Sequence, residues 1–498
     1  KEQNLSVVCF LGVSFVKDIN SLPLSLTYDD VLLIPQRSLV RHRRDVDTTA
    51  YLTSGIRFKV PFISANMDTV TESEMAIAMA TNGAIGFIHR FMSVAEQAEN
   101  VKRVKRHEGF LIDDPYTIGP DRPLKDLVEQ LSLNGISGFV VVDPQGKLLG
   151  LISRRDFILE TDLTKKVESV MTPFGKLKTA RPGVSLREAR KIFQQYKIEK
   201  LPLVDGKGYL KGLVTARSIL RFEKNPLATV DSLGRLRCGA AVGVVGDFLE
   251  RAGALLEAGT DVLVVDVAHG QSIASLEAIK KLKKKFPKIP LIGGNVATGK
   301  AAKDLAKAGA DAVKVGIGPG GLCTTRIMTG VGVPQLTAVA EVAGAVAGTK
   351  VKVIADGGTN YPGDITKALA AGADCVMLAG WFAGTDESPG EVIIRRSRRY
   401  KIHRGSASFL SQADRLSRVP GDRKINTGLN SIVPEGVEAL IEYKGQVKDV
   451  IYQLLGALRS GMSYCGATTL AELKKNAKFV RITSAGFNES KAHNVYEI

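Results

Sequence analysis

The feature that restricts the fold most strongly is a short sequence motif, which occurs three times in the second half of the chain. Each copy reads Ala-Gly-Ala-Asp or Ala-Gly-Thr-Asp and leads into an apolar run, at residues 258–266, 308–316 and 371–379. A glycine at a helix end followed by an apolar, β-branched run indicates a helix that leads into a buried strand. Further strand-like runs (290–294 and 351–356) and helical patterns (299–308 and 364–371) lie between the copies. This alternation predicts a parallel sheet covered by helices.

Similar units upstream raise the number of strand–helix pairs. Strand-like runs at 62–66 and 84–88 flank a helical pattern at 72–81. The total approaches eight, which favours an α/β fold of the closed (β/α)8 TIM-barrel type over an open, doubly wound sheet. Active sites of such barrels lie at the carboxyl ends of the strands. Several polar residues and glycines occupy those positions here, namely Asp266, Asn295, Gly316, Asp356 and Gly380.

Composition excludes several classes of protein. The 498 residues are 44 % hydrophobic and 24 % charged, which is typical of a globular protein of more than one domain. No apolar stretch reaches the roughly 18 residues that a membrane span needs, so we expect no membrane partner. Residues 1–24 are interpreted as an N-terminal extension and not as a signal peptide. Five cysteines without zinc or disulfide spacing indicate a reducing, cytoplasmic location.

The net charge of +17 is the one unusual value. A basic balance suits nucleic acids, phosphorylated small molecules, or simply a solvated surface. The basic residues form short, dispersed clusters at 41–44, 102–106, 281–285 and 395–399, without interleaved aromatic residues. We therefore do not expect nucleic acid to be the ligand.

A second, different repeat interrupts the barrel pattern. Residues 135–156 and 197–218 both read as a strand hairpin that ends on a hydroxyl residue, followed by basic residues and a helix start. The region 110–222 resembles a tandem CBS module, a nucleotide-sensing unit. The resemblance implies an adenine or guanine nucleotide effector, with Asp156 at the position of the acid that holds ribose hydroxyls. Ser218 stands at that position in the second half, and a purely structural insert is the alternative.

A glycine-rich loop with a single thiol follows one of the barrel strands. It spans Gly316 to Arg326 and reads GIGPGGLCTTR, with four glycines before Cys323. Glycines let a backbone pass close to a ligand, and a thiol at a strand end is a candidate nucleophile. The alternative is a tight turn around a buried, unreactive cysteine. The position at a strand end favours the nucleophile.

Together these features resemble the IMP dehydrogenase/GMP reductase family. The resemblance runs from residue 26 to residue 483, and its markers are Asn66-Met67-Asp68-Thr69-Val70, the Cys323 loop, residues 353–358 and residues 387–391. It implies a barrel formed by 25–109 and 223–498, with a flap at about 404–434. It also implies a homotetramer or octamer.

The family resemblance implies a role for each candidate residue. Cys323 would attack C2 of a purine mononucleotide, Thr325 would position the water or ammonia, and Arg423 of the flap would help to activate the hydrolytic water. Implied nucleotide contacts are Met67, Gly321, Asp356, Gly357, Gly358, Gly380 and Glu435. Asp266, Gly316 and Gly318 would face the cofactor, NADP or NAD. Backbone carbonyls of Gly318, Gly320 and Cys323 match a K⁺ site of dehydrogenase members.

Two reactions of the family stay open. IMP dehydrogenase oxidises IMP with NAD and hydrolyses a thioimidate, whereas GMP reductase removes ammonia from GMP and accepts hydride from NADPH. Dehydrogenases carry an Arg-Tyr pair in the flap, and here Lys424 follows Arg423. This departure, and the changed stretch 403–408, favour GMP reductase, whereas the insert and the long flap favour IMP dehydrogenase. A nucleotide sensor without turnover is a third alternative, against which Cys323, Thr325 and Asp356 argue.

Overall fold

The computed structural model describes residues 22–107, 111–112, 115–134, 138–418 and 433–492. The first part of the chain supplies two barrel strands, β4 and β5, each followed by a helix. Its elements are β1 (Val31–Leu33), β2 (Ala50–Thr53), β3 (Ile56–Phe58), β4 (Phe62–Ser64), α1 (Ser73–Thr81), β5 (Ile85–Ile88) and α2 (Val94–His107). Both barrel strands are buried along their whole length, as their apolar sequences require.

The inserted region consists of two similar halves. Its elements are β6 (Leu111–Ile112), β7 (Thr117–Ile118), α3 (Leu124–Asn134), β8 (Gly138–Val142), β9 (Leu148–Ser153), α4 (Arg154–Phe157), β10 (Thr172–Pro173), α5 (Leu186–Tyr196), β11 (Lys200–Val204), β12 (Leu210–Thr215) and α6 (Ala216–Lys224). The two hairpins exchange reciprocal hydrogen bonds, Leu148 N to Gly208 O (3.1 Å) and Leu210 N to Gly146 O (3.0 Å). The halves therefore face each other about a local pseudo-twofold axis.

Asp156 and Ser218 occupy the same local position in the two halves. The Asp156 carboxylate accepts hydrogen bonds from the backbone N–H (2.6 Å) and the hydroxyl (2.7 Å) of Ser153 at the start of α4. Ser218 Oγ accepts from the backbone N–H of Thr215 (3.1 Å) at the start of α6. Both side chains cap a helix start, so the loss of the acid in the second half preserves the local fold. Asp156 is exposed to solvent, and its nucleotide contact stays a prediction.

The second part of the chain supplies the other six barrel strands. Its elements are β13 (Cys238–Val242), α7 (Phe248–Glu257), β14 (Val262–Asp266), α8 (Ile273–Lys285), β15 (Leu291–Val296), α9 (Gly299–Ala308), β16 (Ala312–Val315), α10 (Thr325–Thr329), α11 (Gln335–Ala345), β17 (Lys352–Asp356), α12 (Pro362–Ala370) and β18 (Cys375–Leu378). The eight strands close in the order β13-β14-β15-β16-β17-β18-β4-β5, with parallel pairing throughout. The predicted (β/α)8 barrel is confirmed.

Helix boundaries agree with the sequence patterns to within two residues. The helix predicted at 299–308 is α9, and the helix predicted at 364–371 begins at Pro362. Proline fits the first turn of a helix because its missing N–H would have no partner there. The Asp364 carboxylate accepts the backbone N–H of Tyr361 (2.9 Å), which fixes the earlier start.

A buried ionic cluster holds the two ends of the insert at the amino end of the barrel. Lys105, near the end of α2, lies 2.6 Å from the carboxylate of Asp261 and 3.4 Å from that of Asp231. Arg235 binds Asp231 at 3.0 Å. Since Asp261 immediately precedes β14, this attachment lies at the end of the barrel opposite the carboxyl ends of the strands.

A small antiparallel sheet and the last helices complete the described chain. The elements are β19 (Ile393–Arg395), β20 (Arg398–Arg404), α13 (Phe409–Arg418), β21 (Glu438–Glu442), α14 (Val447–Tyr464), α15 (Leu470–Asn476), β22 (Phe479–Arg481) and α16 (Ser484–Glu489). Strand β22 returns to pair with β1. Within the described residues, no helix has the length and apolarity needed to cross a membrane.

Candidate active site

A cavity of about 740 Å³ opens at the carboxyl ends of the barrel strands. A volume in this range suits a bound small molecule or cofactor. The predicted site residues that line it are Met67, Asp266, Gly316, Gly318, Gly320, Gly321, Cys323, Thr325, Asp356, Gly357, Gly358, Gly380 and Glu435. The predicted residues of the barrel site that the structure describes therefore all lie around this one cavity. Arg423 and Lys424 of the flap lie outside the described residues.

The glycines of the Cys323 loop are required by close backbone contacts. Gly316 has φ +149°, and a Cβ there would overlap the carbonyl oxygen of Asp356. Gly318 has φ +84°, and a Cβ there would overlap the side chain of Arg326. The loop can therefore lie against the end of β17 because Gly316 has no side chain, and Gly318 leaves room for the Arg326 side chain.

Cys323, Thr325 and Glu435 form a continuous hydrogen-bonded set, which we call the proton relay. Cys323 Sγ lies 3.1 Å from Thr325 Oγ1, and Thr325 Oγ1 donates to Glu435 Oε2 at 2.9 Å. Because the threonine proton points to the carboxylate, the hydroxyl oxygen is positioned to accept the thiol proton. The three groups can thus move a proton between the sulfur and the carboxylate.

Backbone hydrogen bonds hold Glu435 beside the loop. Thr324 N donates to Glu435 O (2.8 Å), and Val437 N donates to Leu322 O (3.0 Å). Glu435 precedes β21, more than a hundred residues from Cys323 along the chain. This two-stranded contact brings the Glu435 side chain to the Cys323 loop.

The surroundings of Cys323 differ from those of the other described cysteines. Cys323 is partly exposed in the cavity, whereas Cys238, Cys375 and Cys465 are buried. Burial raises the pKa of Cys238 to about 12 and also raises the pKa of Cys375 and of Cys465. Since the thiolate is the nucleophile, these three thiols stay protonated and unreactive.

Lys314, a buried lysine, lies between Asp266 and Asp356 in the cavity. Lys314 Nζ is 2.8 Å from Asp356 Oδ2 and 3.3 Å from Asp266 Oδ1, and it also binds Asn295 Oδ1. Burial by itself would lower the pKa of Lys314, but the two carboxylates outweigh it and raise that pKa. Burial would raise the pKa of Asp266, yet Lys314 and Arg90 hold it below the usual value. Both partners are therefore charged.

Lys444, Trp381 and His403 form one wall of the cavity. The ammonium of Lys444 binds the carbonyl oxygens of Gly380 and, at 3.3 Å, Trp381. Burial lowers the pKa of Lys444 to about 8. This places a positive charge directly beside Gly380, one of the implied nucleotide contacts, where it would attract the phosphate of a nucleotide.

His403 is an uncharged hydrogen-bond donor in this wall. Burial, and secondarily the Lys444 charge, lowers the pKa of His403 to about 4. Thr69 Oγ1 accepts the backbone N–H of Arg404 (3.2 Å) and lies 3.0 Å from His403 Nδ1. Thr69 and His403 thus share one hydrogen bond, and its direction depends on which imidazole nitrogen carries the proton.

Sequence reasoning missed Lys314, Lys444, Trp381 and His403 as cavity residues. One signal was available for Lys314, since a lysine interrupts the otherwise apolar strand 312–315. The other three lie in segments without strand–helix periodicity, so their approach to the cavity depends on the tertiary fold.

The carbonyls predicted to hold K⁺ are only partly free for it. Gly320 O already accepts the backbone N–H of Cys323 at 2.9 Å, so a cation at this loop would share that oxygen. The carbonyls of Gly318 and Cys323 lie in the same loop. The donor set is compatible with a monovalent cation, which would supply fixed positive charge to the loop, and the site stays a proposal.

Comparison with known proteins gives one consistent family. The family model for the IMP dehydrogenase/GMP reductase domain matches residues 25–493. The inosine-5′-monophosphate dehydrogenase of Aquifex aeolicus is 51 % identical over 472 residues, covering 94 % of this chain and 95 % of that protein. The dehydrogenase of Nitrosopumilus maritimus is 48 % identical over 470 residues, covering 94 % and 98 %.

The similar solved structures are of a GMP reductase, the other enzyme of the family. A cysteine-to-alanine variant of the GMP reductase of Trypanosoma brucei, in complex with guanosine 5′-monophosphate, has a TM-score of 0.89 and 42 % identity over 96 % of this chain and 99 % of that chain. The same reductase in complex with guanosine 5′-triphosphate has a TM-score of 0.77 and 39 % identity over 93 % and 99 %.

The barrel, the cavity and these relatives define an NAD(P)-dependent oxidoreductase of purine nucleotides. The chain belongs to the IMP dehydrogenase/GMP reductase family.

Proposed function

We propose that the protein is a GMP reductase, which converts GMP and NADPH to IMP, ammonia and NADP⁺. The observation that carries this proposal is the proton relay of Cys323, Thr325 and Glu435. A reductase must protonate an amino group as it leaves C2, and the relay, whose three residues lie outside the flap, can supply that proton. A dehydrogenase must instead activate water, and the flap has Lys424 where that reaction uses tyrosine.

The relay accounts for the proton that moves in the first half of the reaction. The Cys323 proton passes through Thr325 to Glu435, and the thiolate forms a bond to C2 of GMP. Glu435 then returns that proton through Thr325 to the amino group, which leaves as ammonia while the thioimidate forms. The covalent bond divides one difficult displacement into two easier steps.

The second half of the reaction needs a hydride donor. NADPH, when bound, supplies hydride to C2, after which the carbon–sulfur bond breaks and Cys323 leaves as the thiolate. Asp266 and the Gly316–Gly318 turn line the same cavity, and the Asp266 carboxylate can accept hydrogen bonds from a carboxamide. This acceptor therefore suits the nicotinamide end of a dinucleotide.

The insert no longer favours the dehydrogenase. The reductase of T. brucei matches this chain over 99 % of its own length. Its reported complex with GMP supports the same substrate here, and its complex with GTP supports a nucleotide effector for this chain. The homotetramer or octamer, the cytoplasmic location, K⁺ and the effector contact at Asp156 stay predictions.

IMP dehydrogenase is the second candidate because the curated relatives at 51 % and 48 % identity carry that name. A nicotinamide absorbance assay with two substrate pairs distinguishes the reactions. We expect NADPH consumption with GMP and no NADH formation with IMP and NAD. NADH formation from IMP without reduction of GMP would overturn the proposal, and inactivity with both pairs would favour a nucleotide sensor.

Lys444 gives the proposed GMP site a pH dependence. We expect Lys444→Met to lower kcat/KM for GMP about 30-fold at pH 7, since a charged hydrogen bond to phosphate contributes roughly 2 kcal/mol. In the wild type, deprotonation of Lys444 as pH rises through about 8 should lower kcat/KM. That decline should be missing in the variant.

Lys448→Met is the matched control because Lys448 is exposed on α14, four residues further along. Its kcat/KM and pH profile should follow the wild type. A Lys444→Met profile that still declines through pH 8 would assign the decline to another group.

A further inference from the structure

Lys314 is the one charged side chain in the middle of a barrel strand whose other residues are apolar. Its side chain is 4 % exposed. Inward positions of barrel strands are usually filled by branched apolar residues, because burying an ammonium is costly unless it is paired. The contacts of Lys314 are with cavity residues from three other strands: Asp266 ends β14, Asn295 lies in β15 and Asp356 ends β17.

The contacts suit a role beyond packing. Asn295 Nδ2 donates to Asp356 Oδ2 (2.9 Å), the same oxygen that binds Lys314, so both donors fix one face of that carboxylate. The other charged group that acts on this cluster is Arg90, from the loop after β5, and the Asn66 side chain hydrogen-bonds Asp266. The cluster therefore holds two acids and two cations, with Lys314 as the group shared by both acids.

We propose that Lys314 is a positioning residue that binds the carboxylates of Asp356 and Asp266 at once and holds them directed to the two halves of the active-site cavity. An ionised carboxylate only accepts hydrogen bonds, which suits ribose hydroxyls at Asp356 and a carboxamide at Asp266. Without the shared cation, repulsion between the two negative charges favours a proton on one of the acids, and that acid would become a donor. The inference rests on the proposed function for the identity of these ligands.

The test compares Lys314→Met with Lys352→Met in the full chain. Lys352 begins the neighbouring strand β17 at the opposite end of the barrel, where it pairs with Asp374 at 3.8 Å. We expect Lys314→Met to raise KM for GMP about 100-fold at pH 7 while kcat falls less than about fivefold, which corresponds to lost binding of the ground state. Lys352→Met should change neither.

A pH profile separates this role from a merely structural one. The ratio of Lys314→Met to wild-type kcat/KM should rise up to about tenfold per pH unit between pH 6 and 8, because one retained proton must leave an acid. Lys314→Arg keeps a positive charge and should show no such rise. A ratio that is constant with pH, or a loss confined to kcat, would overturn the inference.

Two further measurements keep the test independent of folding and of the proposed reaction. If Lys314→Met does not give the circular dichroism spectrum of the wild type, Lys314→Gln, which is shorter and polar, carries the same comparison. Calorimetric titration with GMP needs no turnover, so the affinity loss of the Lys314 variant can be measured whether or not the wild type reduces GMP. Wild-type affinity for GMP in both neutral variants would contradict the inference, whereas wild-type inactivity in the assay would contradict only the proposed reaction.

Discussion

Replacing Cys323 with alanine is expected to lower kcat for GMP by at least about 10⁴-fold, because removal of a covalent nucleophile leaves only binding and orientation. The side chain is small and partly exposed in the cavity, and it is not among the buried residues of the barrel core. The affinity for GMP should therefore stay within about threefold of the wild type. Single-turnover NADPH oxidation and calorimetric titration with GMP measure the two quantities.

Cys465→Ala is the matched control for this prediction. Cys465 is buried at the end of α14, where burial raises the pKa of its thiol. Its replacement should cost some stability and leave kcat unchanged. Retention of more than a few per cent of activity by Cys323→Ala would contradict covalent catalysis, and a parallel loss of GMP binding would assign Cys323 a structural role.

The barrel and most of the cavity could be predicted because their signals are local in sequence. A glycine at a helix end, an apolar strand and a polar residue or glycine at its carboxyl end recur in several units, and a closed barrel brings all such ends to one face. Asp266, Gly316 and Asp356 are placed by this rule alone. Glu435 was assigned by resemblance, and its contact with Thr325 depends on the pairing of residues 435–437 with the Cys323 loop.

The electrostatics of the site could not be predicted in the same way. In the sequence, Lys314 is only a charged residue in an apolar strand. Its role depends on Asp266 and Asp356, which the fold brings to its ammonium. His403 lies in β20 of the small sheet outside the barrel and Lys444 follows β21, and their lowered pKa values arise from burial by the assembled fold. Such pKa shifts depend on neighbours that are distant in sequence, so sequence periodicity cannot predict them.

Glu435→Gln is expected to lower kcat for GMP by about 10²- to 10³-fold, which is the usual contribution of a general acid–base group. The amide can still hydrogen-bond Thr325, as the carboxylate does at 2.9 Å, so the geometry is kept while proton storage is lost. KM for GMP should change little. Glu438→Gln makes the same substitution three residues further along, at an exposed side chain of β21, and should retain nearly full activity.

A substrate with a different leaving group at C2 tests whether the rate loss in Glu435→Gln comes from the missing proton. Ammonia needs a proton to leave, whereas chloride does not, so a 2-chloropurine analogue of GMP bypasses the returning step of the relay. If Glu435 supplies that proton, the rate loss in Glu435→Gln should shrink at least about tenfold with the chloro substrate. An equal loss with both substrates would show that Glu435 acts before the leaving group departs, by accepting the Cys323 proton or by holding Thr325 in place.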